Sequence, residues 1–71
     1  MPAEAVVLYS RILLRNGTHA DALWYLGLAA SQSNDRLAAG EYWNRLLAQL
    51  PSGSPERTVL EARLAALGVG K

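Results

Sequence analysis

Three short breaks divide the 71-residue chain into four segments, each only about three to four helical turns long. The breaks consist of residues that favour turns and helix ends: Asn16-Gly17, Ser33-Asn34-Asp35 and Pro51-Ser52-Gly53. Within each segment the apolar residues recur at i, i+3, i+4 and i+7 spacing, which forms one stripe along a helix. In the first segment this stripe is Ala5, Leu8, Tyr9, Ile12 and Leu13. The pattern predicts four short helices covering residues 3–15, 20–33, 36–49 and 55–67.

The composition favours an all-α fold. Ala contributes 12 residues and Leu 13, whereas Val and Ile together contribute five and Phe none. Small and unbranched apolar residues favour helices, and the scarce β-branched residues favour strands. Because short turns leave successive helices antiparallel, we expect a single domain of four antiparallel helices over residues 1–71.

The first two helices carry recognisable end signals. Pro2 suits a first helical turn, and Glu4 suits the positive end of the helix dipole. Gly17 is expected to end the first helix in the left-handed conformation. Thr18 is expected to cap the second helix, with Asp21 three residues on in a place like that of a capping box.

The last two helices have stronger start signals. Either Asn34 or Asp35 can cap the third helix. At the fourth helix Ser54-Pro55 combines an N-cap with the residue type preferred at the first helical position. Gly68 is expected to end the fourth helix, and residues 70–71 are expected to fray.

Charge and apolar patterning exclude several partners. Six Arg and one Lys balance six acidic residues to a net charge of +1, and the Arg residues are spread along the chain. Nucleic-acid binding uses a concentrated basic face, which is absent from this pattern. No apolar stretch approaches the roughly 20 residues that span a bilayer, and the N-terminus lacks a secretory signal. We expect a soluble domain without direct membrane insertion.

The sequence offers no catalytic constellation or cofactor motif. His19 is the only histidine and Cys is absent, so no pair of metal ligands has a suitable spacing. His19 is therefore interpreted as a solvated turn residue. No Ser is placed beside a base by the spacing, and the Gly residues form no phosphate-binding motif. We expect a non-catalytic protein without a cofactor.

Residues 34 positions apart match each other in one ungapped alignment. Matched pairs join the first segment to the third and the second to the fourth: Ala5 with Ala39, Tyr9 with Trp43, Arg11 with Arg45, Ile12 with Leu46, Leu13 with Leu47, Leu26 with Leu60 and Ala30 with Leu64. A 34-residue period made of two helices is characteristic of the tetratricopeptide repeat. The chain resembles that family most strongly between residues 20 and 53.

Individual residues carry this resemblance. Leu26-Gly27 matches the Leu-Gly pair of the first helix in a repeat, Ala39 the small residue where the helices cross, Trp43 the bulky aromatic position, and Pro51 the closing proline. The sequence departs from the family at Leu23, Ala30 and Asn34, where many repeats have Trp, Tyr and Gly. The resemblance implies one complete repeat flanked by two half repeats, with Gly27 allowing close helix approach.

Three stretches resemble a narrower branch: residues 22–30, 42–51 and 54–57. They are similar to the periplasmic repeat domain of the CcmI/CycH family of bacterial cytochrome c biogenesis proteins. This resemblance implies a chaperone module that holds apocytochrome c, mainly through its C-terminal helix. It also implies a periplasmic location, with anchoring to the inner membrane through parts absent from this chain.

The repeat pattern also predicts a binding surface. Asp21, Trp24, Leu28 and Gln32 project from one side of the second helix toward a groove, with Tyr25 beside them. Trp24 is either a groove anchor, a role that Trp often plays in binding hot spots, or one more aromatic residue packed on a neighbouring helix. The leading function is a module that binds an amphipathic peptide helix. The alternative is a structural scaffold or dimerisation module without a peptide ligand.

The first helix suggests self-association. In the repeat pattern it lacks the helix that would precede it, so part of its apolar surface has no partner. The apolar residues that exceed what the second helix can cover are Val6, Val7, Ile12 and Leu14. Uncovered apolar patches usually mark contact sites, and a two-fold homodimer through this helix is expected.

Overall fold

The computed structural model describes residues 3–68, which form four α-helices in the predicted order. They are α1 (Ala3–Arg15), α2 (Ala20–Gln32), α3 (Arg36–Leu47) and α4 (Pro55–Leu67). Each helix packs against the next one in the sequence, and no strand occurs within the described residues. The all-α prediction is confirmed, although α3 ends earlier than expected because Ala48 to Leu50 turn toward α4. The expectations for Pro2 and residues 70–71 lie outside the described residues.

The core lies between α2, α3 and α4, and α1 contributes no fully buried residue. The buried residues of this core are Leu23, Ala39, Trp43, Leu46, Leu60 and Leu67. Trp43 is only 1% exposed, and its indole nitrogen donates a hydrogen bond to the Trp24 carbonyl at 3.2 Å. A Cβ added to Gly27 would overlap the Trp43 indole. Gly27 therefore permits the close approach of α2 and α3, as predicted.

The starts of α3 and α4 follow their sequence signals. Asp35 caps α3 by accepting a hydrogen bond from the Ala38 amide at 3.2 Å. Asn34 takes a left-handed conformation with φ of 64°, which Asn tolerates better than most residues. Ser54 accepts a hydrogen bond from the Arg57 amide at 3.2 Å, and α4 ends at Gly68 with φ of 70°.

The turn between α1 and α2 differs from the prediction. Gly17 does not have a positive φ, so it is not a left-handed helix end. Two side chains near the C-terminal end of α3 hold this turn instead. Arg45 donates a hydrogen bond to the Gly17 carbonyl at 2.7 Å, and Gln49 donates one to the Thr18 carbonyl at 2.6 Å. These long-range bonds link the turn to α3 and its C-terminal end, and sequence-local reasoning does not anticipate them.

The cap of α2 is His19, and the predictions for Thr18 and His19 are both wrong. The Thr18 hydroxyl is engaged with the Asn16 side chain at 3.0 Å. His19 lies one residue closer to the helix in an extended conformation, and its Nδ1 accepts a hydrogen bond from the Ala22 amide at 3.1 Å. His19 is consequently a half-buried capping residue and not a solvated turn residue.

Helix α1 is less covered than its apolar stripe predicts. Tyr9 stacks on Tyr25 of α2 with ring centroids 4.6 Å apart. Leu8, expected in the same core stripe, is 56% exposed, because the main packing of α1 is against α2. Of the residues expected to be uncovered, Val7 and Leu14 are 49% and 87% exposed, whereas Val6 and Ile12 are half-buried.

Candidate binding groove

An open groove lies where the first turns of α2 and α4 meet the end of α3. It has a volume of about 400 Å³, and we call it the α2–α4 groove. Most of its lining is apolar, and two carboxylates are included. The lining residues are Ala20, Asp21, Trp24, Leu46, Leu50, Pro55, Glu56, Val59 and Leu60.

The floor of the α2–α4 groove is continuous with the hydrophobic core. Leu46 and Leu60 belong to the buried core cluster and also line the groove. Val59 lies beside Leu60 in the sequence and is 54% exposed. An exposed apolar side chain above a buried apolar floor gives a site where a ligand gains free energy by displacing water.

Trp24 forms one wall of the groove and is held by two neighbours. Its ring stacks on Trp43, with centroids 5.7 Å apart and planes inclined by 25°. The Arg63 guanidinium carbon lies 5.0 Å from the centroid of the Trp24 ring, within the range of a cation–π interaction. The Trp24 side chain stays half-buried. It therefore packs on Trp43 of α3 and also lines the groove. Its role as a groove anchor stays a prediction.

Arg57 positions the start of α4 relative to the end of α3. Its Nη1 donates hydrogen bonds to the carbonyls of Leu47 and Leu50, at 3.0 and 3.1 Å. Its Nε also pairs with Glu61 Oε2 at 3.3 Å. Leu47 is the last residue of α3 and Leu50 lies in the turn that follows, where carbonyls lack regular helical partners. Arg57 thus supplies a donor to both carbonyls and links the start of α4 to the end of α3.

The predicted site residues do not all face this groove. Asp21 and Trp24 line it. Leu28 packs against the core cluster, and Tyr25 turns toward α1, where it meets Tyr9. Gln32 is exposed near the end of α2 and is not part of the lining.

The sequence reasoning missed the contribution of α4. Pro55, Glu56, Val59 and Leu60 supply much of the groove lining. The sequence pattern assigns Pro55 to the helix start and pairs Leu60 with Leu26 in the repeat, and neither is given a place in a binding surface. Helix α4 packs mainly against α3, with Arg63 reaching Trp24 of α2, so part of its apolar stripe stays uncovered.

The described residues were also compared with the requirements of a metal site and of a membrane-spanning helix. Across residues 3–68, no group of three His, Asp or Glu side chains could hold a metal ion. Over the same range, none of the helices has both the length and the apolar character needed to cross a bilayer.

This chain is similar in sequence to part of a known bacterial protein. The cytochrome c-type biogenesis protein CycH of Bradyrhizobium diazoefficiens is 34% identical to this chain over 68 residues. The match covers 96% of this chain but 18% of the relative, so the chain spans less than a fifth of that protein. No family model and no solved structure matches the chain. The chain is thus similar to one segment of a CycH protein, and its packed helical hairpins are consistent with a tetratricopeptide-like module.

Proposed function

We propose that this chain is a non-catalytic, tetratricopeptide-like module that binds an amphipathic protein helix in the α2–α4 groove. The observation that carries the proposal is the continuity of the exposed Val59 and the Trp24 wall with a buried apolar floor. Helix-in-groove recognition places apolar anchors at helical spacing into such a surface. Trp is also enriched among the residues that dominate binding energy.

The size and charge of the groove define the ligand further. A volume of about 400 Å³ has room for a few apolar side chains but not for a whole helix, so the ligand helix lies across the opening. Asp21 and Glu56 bring two carboxylates to the groove. They favour Lys or Arg beside the apolar anchors of the ligand and disfavour an acidic tail.

The similarity to CycH suggests the biological context. We infer that the ligand is an apocytochrome c, presenting its C-terminal helix, and that the module takes part in cytochrome c maturation. The resemblance in residues 22–30 and 42–51 supports this inference, together with the name of the relative. By the same resemblance, the setting is the periplasm, with membrane attachment through other parts of the protein.

Calorimetric titration with a peptide from the C-terminal helix of a c-type cytochrome tests the proposal. We expect saturable binding that Val59→Glu weakens by about tenfold or more, because the substitution places a third carboxylate in an apolar site. Leu37→Glu is the matched control. Leu37 is 66% exposed on α3 and lies outside the groove lining, so its substitution should leave the affinity unchanged.

The peptide also needs matched controls. A scrambled peptide of the same composition lacks the apolar stripe and should not bind. Replacing the flanking basic residues of the peptide with Glu should weaken binding, and added salt should reduce the difference between the two peptides. Flat titrations with every peptide, or equal losses in Val59→Glu and Leu37→Glu, would favour the alternative of a scaffold or dimerisation module without a peptide ligand.

A further inference from the structure

A second apolar surface lies on α1, away from the α2–α4 groove. Ala3, Glu4, Val7, Leu8 and Arg11 line a shallow depression on this helix, which we call the α1 outer face. Val7 and Leu8 at its centre are 49% and 56% exposed. Leu14, at 87% exposure, continues the stripe of Val7 two helical turns further on.

The repeat itself does not require large apolar residues at positions 7 and 14. At the offset of 34 residues, Glu41 of α3 corresponds to Val7, and Ala48, the residue after α3, corresponds to Leu14. Both are exposed and neither presents a large apolar side chain to water, whereas Tyr42, which corresponds to Leu8, is half-buried against the core cluster. The apolar character of Val7 and Leu14 is therefore specific to α1 and indicates a contact surface.

The α1 outer face is complementary to itself. Glu4, Val7, Leu8 and Arg11 follow i, i+3, i+4 and i+7 spacing, with an acidic residue at one end and a basic residue at the other. A two-fold axis between Val7 and Leu8 sets an antiparallel copy of the helix against it. Val7 then faces the partner's Leu8, and Glu4 faces the partner's Arg11. Within residues 3–68, neither Glu4 nor Arg11 has an ion-pair partner in its own chain.

We propose that the occupant of the α1 outer face is a second copy of this chain, docked antiparallel through α1. A two-fold interface needs a patch that matches itself, and the order acidic–apolar–apolar–basic meets this requirement. In this antiparallel arrangement the positive end of each helix dipole lies near the negative end of the other, which is electrostatically favourable. The contact is small, so the dimer is weak and forms reversibly. It leaves the α2–α4 groove of each copy open.

Sedimentation equilibrium with charge-exchange variants tests this dimer. Glu4→Arg alone and Arg11→Glu alone each create two like-charge pairs in a homodimer. Each should raise the dimer dissociation constant by at least about tenfold. An equimolar mixture of the two variants restores two opposite-charge pairs, so we expect it to form a heterodimer near the affinity of the original chain.

Glu41→Arg and Arg36→Glu are controls with the same changes in net charge at exposed positions of α3, and both should dimerise normally. Recovery in the mixture shows that the single variants are folded, which circular dichroism checks independently. A chain that remains monomeric from micromolar to millimolar concentration would overturn the proposal. A mixture that associates no better than the single variants would overturn it equally.

Discussion

Helices α1 and α3 carry matching patterns of residues but are buried to very different extents. At the offset of 34 residues, Ala5 corresponds to Ala39, Tyr9 to Trp43 and Ile12 to Leu46. The three α3 residues are 0%, 1% and 6% exposed, whereas the three α1 residues are only half-buried. Helix α3 has packed neighbours in α2 and α4, but the main packing of α1 is against α2.

The comparison shows that the apolar pattern of a helix and the burial of that helix have different causes. The spacing of apolar residues is enough to form both helices. Burial, and most of the stability that depends on it, requires a second packed surface. Substitutions at matched positions should therefore have unequal effects, large in α3 and small in α1, and three such pairs test this expectation.

The largest difference is expected between Trp43→Ala and Tyr9→Ala. Removing the buried indole should lower the free energy of unfolding by about 3–5 kcal/mol, enough to unfold a domain of this size. Tyr9 loses mainly its stacking on Tyr25, so its removal should cost about 1–2 kcal/mol. Urea denaturation followed by circular dichroism measures both values. Equal losses would show that α1 is as tightly packed as α3.

A smaller difference is expected from enlarging the matched Ala residues. Ala39 is completely buried in the core cluster, so Ala39→Leu should overpack the α2–α3 contact and cost about 1–3 kcal/mol. Ala5 retains access to solvent, and Ala5→Leu should change the stability by less than about 0.5 kcal/mol. Thermal melts of the two variants check the pair. A destabilising Ala5→Leu would mean that α1 is more enclosed than the comparison indicates.

The smallest difference is expected between the matched arginines. Arg45→Gln removes the hydrogen bond to the Gly17 carbonyl and should cost about 0.5–1.5 kcal/mol. Arg11→Gln removes no hydrogen bond within the described residues, so it should be neutral at dilute concentrations where the chain is monomeric. Amide hydrogen exchange of the α1–α2 turn adds a local measurement: faster exchange is expected in Arg45→Gln only. Unchanged exchange in that variant would contradict the role assigned to Arg45.

The sequence predicts the helices well because their ends are decided locally. Asp35, Ser54-Pro55 and Gly68 act through hydrogen bonds or backbone conformations that involve only nearby residues. The turn before α2 was predicted wrongly because Arg45 and Gln49, far along the sequence, hold it in place. Leu8 was misplaced for a similar reason, since its burial depends on a neighbouring helix and not on its own spacing.

The groove could be predicted only in part. Asp21 and Trp24, which the repeat pattern of α2 assigns to a binding surface, line this groove. Which gap between helices stays open depends on how α4 meets α3, where Arg57 donates hydrogen bonds to the carbonyls of Leu47 and Leu50. Periodicity describes each helix by itself and does not specify contacts between helices. It therefore could not predict that Val59 lines the groove or that Tyr25 packs against Tyr9 of α1.

The contact between Gly27 and Trp43 also constrains the order in which this sequence can diverge. Any side chain at position 27 would overlap the indole at position 43, so a larger residue at 27 becomes tolerable only after the ring at 43 has become smaller. Enlarging residue 27 first gives an overpacked intermediate. Reducing Trp43 first leaves a cavity. Both single steps are costly, so the effect of each substitution depends on the other, and the double variant should be more stable than the sum of its parts predicts.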